Sequence, residues 1–166
     1  MANTIRICDG PIDLNWNHCG MTAEFLGEFF ALGCAKSEQA YNEVRHSIGY
    51  LVNELLENAV KFRYPGDVVI QSSLEAGRFE LKVSNLIDAG TAAKFQLMLT
   101  DVTSRDPGDL LIERIEANAA DSSSSGSGLG LLTLMNDYGA RLGWEFHDAG
   151  ENEPIQLETF AALDIA

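Results

Sequence analysis

A chain of 166 residues, 46% of them hydrophobic, is long and apolar enough for one globular domain with its own core. Its 11 Lys and Arg stand against 25 Asp and Glu, a net charge of −14 that repels a phosphate backbone and sets nucleic acid aside as a partner. No apolar run approaches the ~20 residues of a membrane span, and no signal-peptide layout opens the chain, so a soluble, cytoplasmic protein is expected.

In chain order, residues 4–8 and 12–16 read as short strands, the second from the alternation Ile12, Leu14, Trp16. From Met21 to about Leu32, Phe25, Leu26, Phe29 and Phe30 recur at helical spacing, and Gly33 is expected to end that helix. A long helix follows over residues 38–62, with Ile48, Leu51, Val52, Leu55, Leu56, Ala59 and Phe62 on one side, and Tyr64-Pro65-Gly66-Asp67 stops it. Residues 68–74 and 79–85 form a hairpin around Ala76-Gly77, with Phe79, Leu81 and Val83 facing one way. Two helices come next, one near residues 92–99 and one starting at Asp106-Pro107, where Asp106 caps and Pro107 suits the first helical position. A serine–glycine loop then leads into a short helix, and residues 141–147 and 155–163 read as the last two strands. The fold class that results is an α/β two-layer sandwich, a mostly antiparallel sheet with helices on one face.

Cys8, Cys19 and Cys34 are odd in number and lack C-x-x-C spacing, which disfavours a disulfide framework or a zinc site. His18, His46 and His147 are scattered and show no metal-ligand spacing; His46 is expected to be structural.

Two stretches carry chemistry. Inside the long helix, Glu54, Asn58 and Lys61 fall in one stripe bordering the apolar face. A carboxylate there can accept a proton, an amide oxygen can ligate Mg²⁺, and an ammonium can meet phosphate. Far downstream, a serine run feeds Gly126-Ser127-Gly128-Leu129-Gly130-Leu131 at a helix start. Glycines allow close backbone approach, and a helix start offers free N–H groups with partial positive charge, a place that suits phosphate oxygens.

Taken together, Glu54-x-x-x-Asn58-x-x-Lys61 and Gly126-x-Gly128-Leu129-Gly130-Leu131 resemble the asparagine box and second glycine box of the GHKL (Bergerat-fold) ATPases. The order helix, strand, strand, lid, glycine turn, helix, strand, strand is also similar. By that resemblance residues 1–166 form one histidine-kinase-like ATPase domain, with an extension at 1–37, a core at 38–163 and a lid at 86–125. A glutamate at the first box position is similar to the anti-sigma-factor serine kinases and gyrase-type ATPases, in which it acts as general base. The resemblance therefore implies ATP and Mg²⁺ as cofactors, Glu54 as base, Asn58 on Mg²⁺, Lys61 on phosphate, and Gly126, Ser127, Gly128, Leu129 and Gly130 around the phosphates.

The family's first glycine box, Asp-x-Gly-x-Gly, has no intact copy. Strand parity puts Asn85 where its adenine-binding Asp belongs, and its amide oxygen can accept from an amine without charge assistance. Asp88-Ala89-Gly90 three residues later is the alternative. The small size and the Asn136 to Trp144 stretch resemble stand-alone bacterial partner-switching regulators, relatives of the anti-sigma kinases. That resemblance implies a small STAS-type antagonist phosphorylated on Ser or Thr as partner and leaves a homodimer open. The alternative is a degenerate, non-catalytic module that controls a partner by binding; a third reading is an ATP hydrolase.

Overall fold

Two strands with clean apolar–polar alternation fold back on each other at the centre of the sheet, and the rest is added to their edges and one face. The computed structural model describes residues 1–9, 15–120, 128–148, 150 and 153–165. Its elements are β1 (Ala2–Ile7), α1 (Trp16–Cys34), α2 (Glu38–Lys61), β2 (Val68–Glu75), β3 (Arg78–Ile87), α3 (Ala89–Thr103), α4 (Pro107–Ala120), α5 (Leu129–Asn136), β4 (Arg141–His147) and β5 (Ile155–Asp164).

The five strands run in the order β1-β2-β3-β5-β4, every neighbour antiparallel. The central β2–β3 hairpin turns on Ala76 and Gly77, with φ of 48° and 77°, the paired positive values that match the right-handed twist of the strands. Phe79, Leu81, Val83, Asn85 and Ile87 of β3 point to the buried face, opposite Leu163, Ala161, Thr159, Leu157 and Ile155 of β5. The other face is polar; there Lys82 donates to Glu158 at 2.8 Å and Ser84 donates to the same oxygen at 3.3 Å. The Lys82 ammonium holds the Glu158 carboxyl below its ordinary value, aided by His147 and Ser84.

All the helices cover the buried face, in keeping with the expected two-layer sandwich. α2 lays Val44, Ile48, Leu51, Val52, Leu55, Leu56 and Ala59 onto it. Ser37 caps α2 by accepting from the Ala40 N–H. α1 crosses α2 closely where a Cβ on Gly27 would stand 2.7 Å from the Arg45 carbonyl oxygen. Its Phe30 packs edge-on against Phe79 of β3, ring centroids 5.0 Å apart. β1 and α1 are thus part of the sheet and core.

Three expectations shift. Trp16 starts α1 instead of ending a strand, because Asn15 accepts from the Asn17 N–H and His18 Nδ1 accepts from the Asn15 N–H, a reciprocal cap that overrides the short alternation. The rest of the expected strand, residues 12–14, lies outside the described residues. Gly33 does not end α1; the cap is Ala35, and Gly33 instead makes room for Met1, whose Cε would be 2.2 Å from a Cβ there. α3 is longer than periodicity indicates, because Asp88 caps it by accepting from the Thr91 N–H at 2.8 Å. No helix among the described residues is long and apolar enough to cross a membrane.

Candidate functional site

Spacing of four along α2 stacks His46, Tyr50, Glu54 and Asn58 into one column, and the structure turns that column toward α5. At its upper end the Tyr138 hydroxyl lies 3.0 Å from His46 Nε2, and the rings of Tyr50 and Tyr138 stack with centroids 4.9 Å apart. Thr133 of α5 lies beside the Tyr50 hydroxyl. These contacts clamp the two helices one turn away from Glu54.

Glu54 occupies space that only a glycine leaves open. A Cβ built on Gly130 would stand 1.8 Å from Glu54 Oε2 and 2.8 Å from its carboxyl carbon. Gly130 therefore serves here as a slot for the carboxylate. Half-buried, Glu54 is pushed above the ordinary carboxylate range, first by desolvation and then by the charge of Glu57. Glu57 is itself held by a 2.9 Å hydrogen bond from Asn53.

The glycine turn ahead of α5 is tight. Gly128 has φ +81° and is the N-cap of α5, with no side chain capping the helix. Leu129 begins the helix and leans on the core, and Leu131 is buried. Across Gly128 lies Arg114 of α4, whose Nη1 would be 2.6 Å from a Cβ there, while its Nη2 donates to Asp101 of α3 at 2.5 Å. A carboxylate at Gly130 and a guanidinium at Gly128 thus bracket one turn. Gly126 and Ser127 lie outside the described residues.

Below Glu54, Asn58 lines a cavity of about 10 Å³ together with Asn85, Thr91, Phe95, Leu131 and Thr159, the space of roughly one water molecule. Asn85 is 4% exposed, donates only a long 3.4 Å bond to the Leu86 carbonyl, and leaves its Oδ1 buried with no donor. A buried unpaired acceptor costs free energy unless something donates to it. An amine-bearing guest suits that atom.

The remaining expected residues sit elsewhere. Asp88 is exposed at the N-cap of α3, both carboxylate oxygens taken by Thr91, which holds its acid below the ordinary value. Gly90 is exposed in the following turn. Neither lines the cavity, so of the two base-recognition alternatives the structure places Asn85 beside Asn58 and leaves Asp88 outside. Asp88→Ala is expected to lower Tm by unfastening α3, which a melting curve checks. Lys61, the last residue of α2, is exposed and folds its ammonium over the Phe62 ring at 5.1 Å. Sequence reasoning missed Arg114, Tyr50, Thr133 and Tyr138. Only the spacing of 46, 50, 54 and 58 along one helix face hinted at the tyrosine clamp.

No family model matches the chain, and no curated protein matches it. Among solved structures, a chain of the SiaB–SiaC complex from Pseudomonas aeruginosa superposes on it with a TM-score of 0.68, covering 96% of this chain and 89% of that one. The two share the fold. At 12% identity the likeness carries nothing finer.

Proposed function

We propose that this chain is a Mg·ATP-binding regulatory protein that transfers a phosphoryl group to a Ser or Thr of a small partner protein, in the manner of the anti-sigma-factor serine kinases it resembles. The observation that carries this reading is the Glu54 carboxylate seated in the slot at Gly130, beside an uncapped helix start. Bound Mg·ATP would supply the electrophilic γ-phosphoryl and the cation that offsets its charge. The chain's own groups fit that guest in kind. Asn85 Oδ1 has an acceptor to offer the base amine, the Asn58 amide oxygen is a hard ligand for Mg²⁺, and the α5 start presents N–H groups to phosphate. Desolvated Glu54 is the proton acceptor for the incoming hydroxyl, its raised pKa bringing its basicity closer to neutral pH. A protein partner accords with the neighbouring fold having been crystallised as a two-protein complex, and a STAS-type antagonist is the partner class the resemblance implies.

A second reading, the non-catalytic module, draws on the cavity itself: room for roughly one water beside Asn85 admits no purine until Thr91 and Phe95 of α3 withdraw. Titration calorimetry with Mg·ATP, followed by labelled-phosphate transfer to proteins captured from the native cell, separates the two. On the kinase reading, wild type releases heat and Asn58→Ala weakens Mg·ATP by about tenfold or more. No heat from wild type would remove the nucleotide site and leave the module reading standing.

A further inference from the structure

The cation that resemblance assigns to phosphate, Lys61, is turned onto Phe62. A different cation already lies at the turn. Arg114 crosses from α4 with its guanidinium against Gly128, 22% of its side chain exposed, and its fork is oriented by a 2.5 Å bond to the Asp101 carboxylate. Gly128, with φ +81° and no Cβ, is what lets the guanidinium approach so near; Val102 of α3 flanks the same spot at 3.2 Å from the Cβ position.

We propose, resting on the nucleotide reading above, that Arg114 is the phosphate-binding side chain of this turn and that the Asp101 carboxylate holds the place a phosphate oxygen takes. A guanidinium presents parallel N–H donors that match carboxylate and phosphate alike, so the exchange needs no new geometry at Arg114. Asp101 is 57% exposed, and a pair with one such partner is held weakly against water and salt. A triphosphate offers more negative charge at the same place, with the N–H groups of the α5 start adding to it. Exchange would also part α4 from α3 at this contact, since Asp101 belongs to α3 and Arg114 to α4. The nucleotide state would then be legible on the α3–α4 surface, where a partner protein could sense it.

The experiment is titration calorimetry on the full chain with Mg·ATP and, separately, with adenosine, which has no phosphate. Arg114→Gln is expected to weaken Mg·ATP by about tenfold to a hundredfold and to leave adenosine unchanged. Asp101→Asn, on an exposed position that leaves Arg114 intact, is expected to tighten Mg·ATP by roughly twofold to fivefold. Unchanged Mg·ATP affinity in Arg114→Gln overturns the assignment, and so does an equal loss for adenosine, which would mean Arg114 merely supports the fold. Should Arg114→Gln fail to fold, Asp101→Asn decides alone: affinity that stays level or falls rejects the exchange. If wild type takes up neither adenosine nor Mg·ATP, the nucleotide reading itself falls, a result distinct from intact wild-type binding that is indifferent to Arg114.

Discussion

Glu54→Gln is expected to bind Mg·ATP as wild type does while phosphoryl transfer drops by about 10²–10⁴-fold, the usual worth of a positioned general base. Glutamine keeps the shape that fills the slot at Gly130 but cannot take a proton. The same variant is expected to melt at a higher temperature than wild type at neutral pH. Burial raises the Glu54 pKa above its ordinary value, so the folded chain holds that proton more tightly than the unfolded chain. The stability this group contributes is complete below the unfolded value and is lost as pH rises through the folded one. Above that window the ionised carboxylate strains the site, and glutamine relieves it. Transfer runs the other way, because a base must be ionised to act, so wild-type activity climbs over the window in which Glu54 ceases to favour the folded state. Melting curves and transfer rates across pH check both slopes. Transfer that survives in Glu54→Gln, or a Tm that falls, rejects the role given to this residue.

Gly130→Ala should be nearly as damaging, for a steric reason. The new methyl would overlap Glu54 Oε2 at 1.8 Å, and real Cβ contacts never come so close. What it meets is the end of a flexible side chain, so the chain folds and the carboxylate swings aside. Loss of transfer should approach that of Glu54→Gln, with the proton acceptor displaced rather than removed. Combining the two tells slot from phosphate cradle. If Gly130 exists to seat the carboxylate, Gly130→Ala adds little to a chain that already carries Glu54→Gln, since both changes remove the same function. A further large loss of Mg·ATP affinity in the double variant would mean the glycine serves phosphate directly.

The two motifs were legible because each is local. Glu54, Asn58 and the apolar face of α2 follow from 3.6 residues per turn, and glycines at alternate positions before Leu131 and Leu132 mark a close backbone approach whatever surrounds them. Strand parity from Leu81 and Val83 put Asn85 on the buried face, where it is found with an unpaired oxygen. Asp88 shows the limit of such reading. As a residue beside Ala89-Gly90 it looked like part of a slipped box, yet the same carboxylate is also a good helix cap, and Thr91 took it. Trp16 erred the same way: three alternating apolar residues are weaker than the reciprocal cap of Asn15 and His18.

By itself the sequence determined the two-layer fold class, the central hairpin and the pairing of a Glu-Asn helix with a glycine turn, because periodicity, turn chemistry and caps act between near neighbours. Tertiary structure alone decided which groups meet at that turn. It sets Glu54 into the slot of Gly130, draws Arg114 from α4 over Gly128, leaves Lys61 on Phe62, and stacks Tyr138 on Tyr50. Save for Lys61 on its neighbour Phe62, those contacts join residues apart in the chain, and they depend on how α2, α4 and α5 lie against one another on the sheet, which packing of the whole core settles and no local pattern encodes.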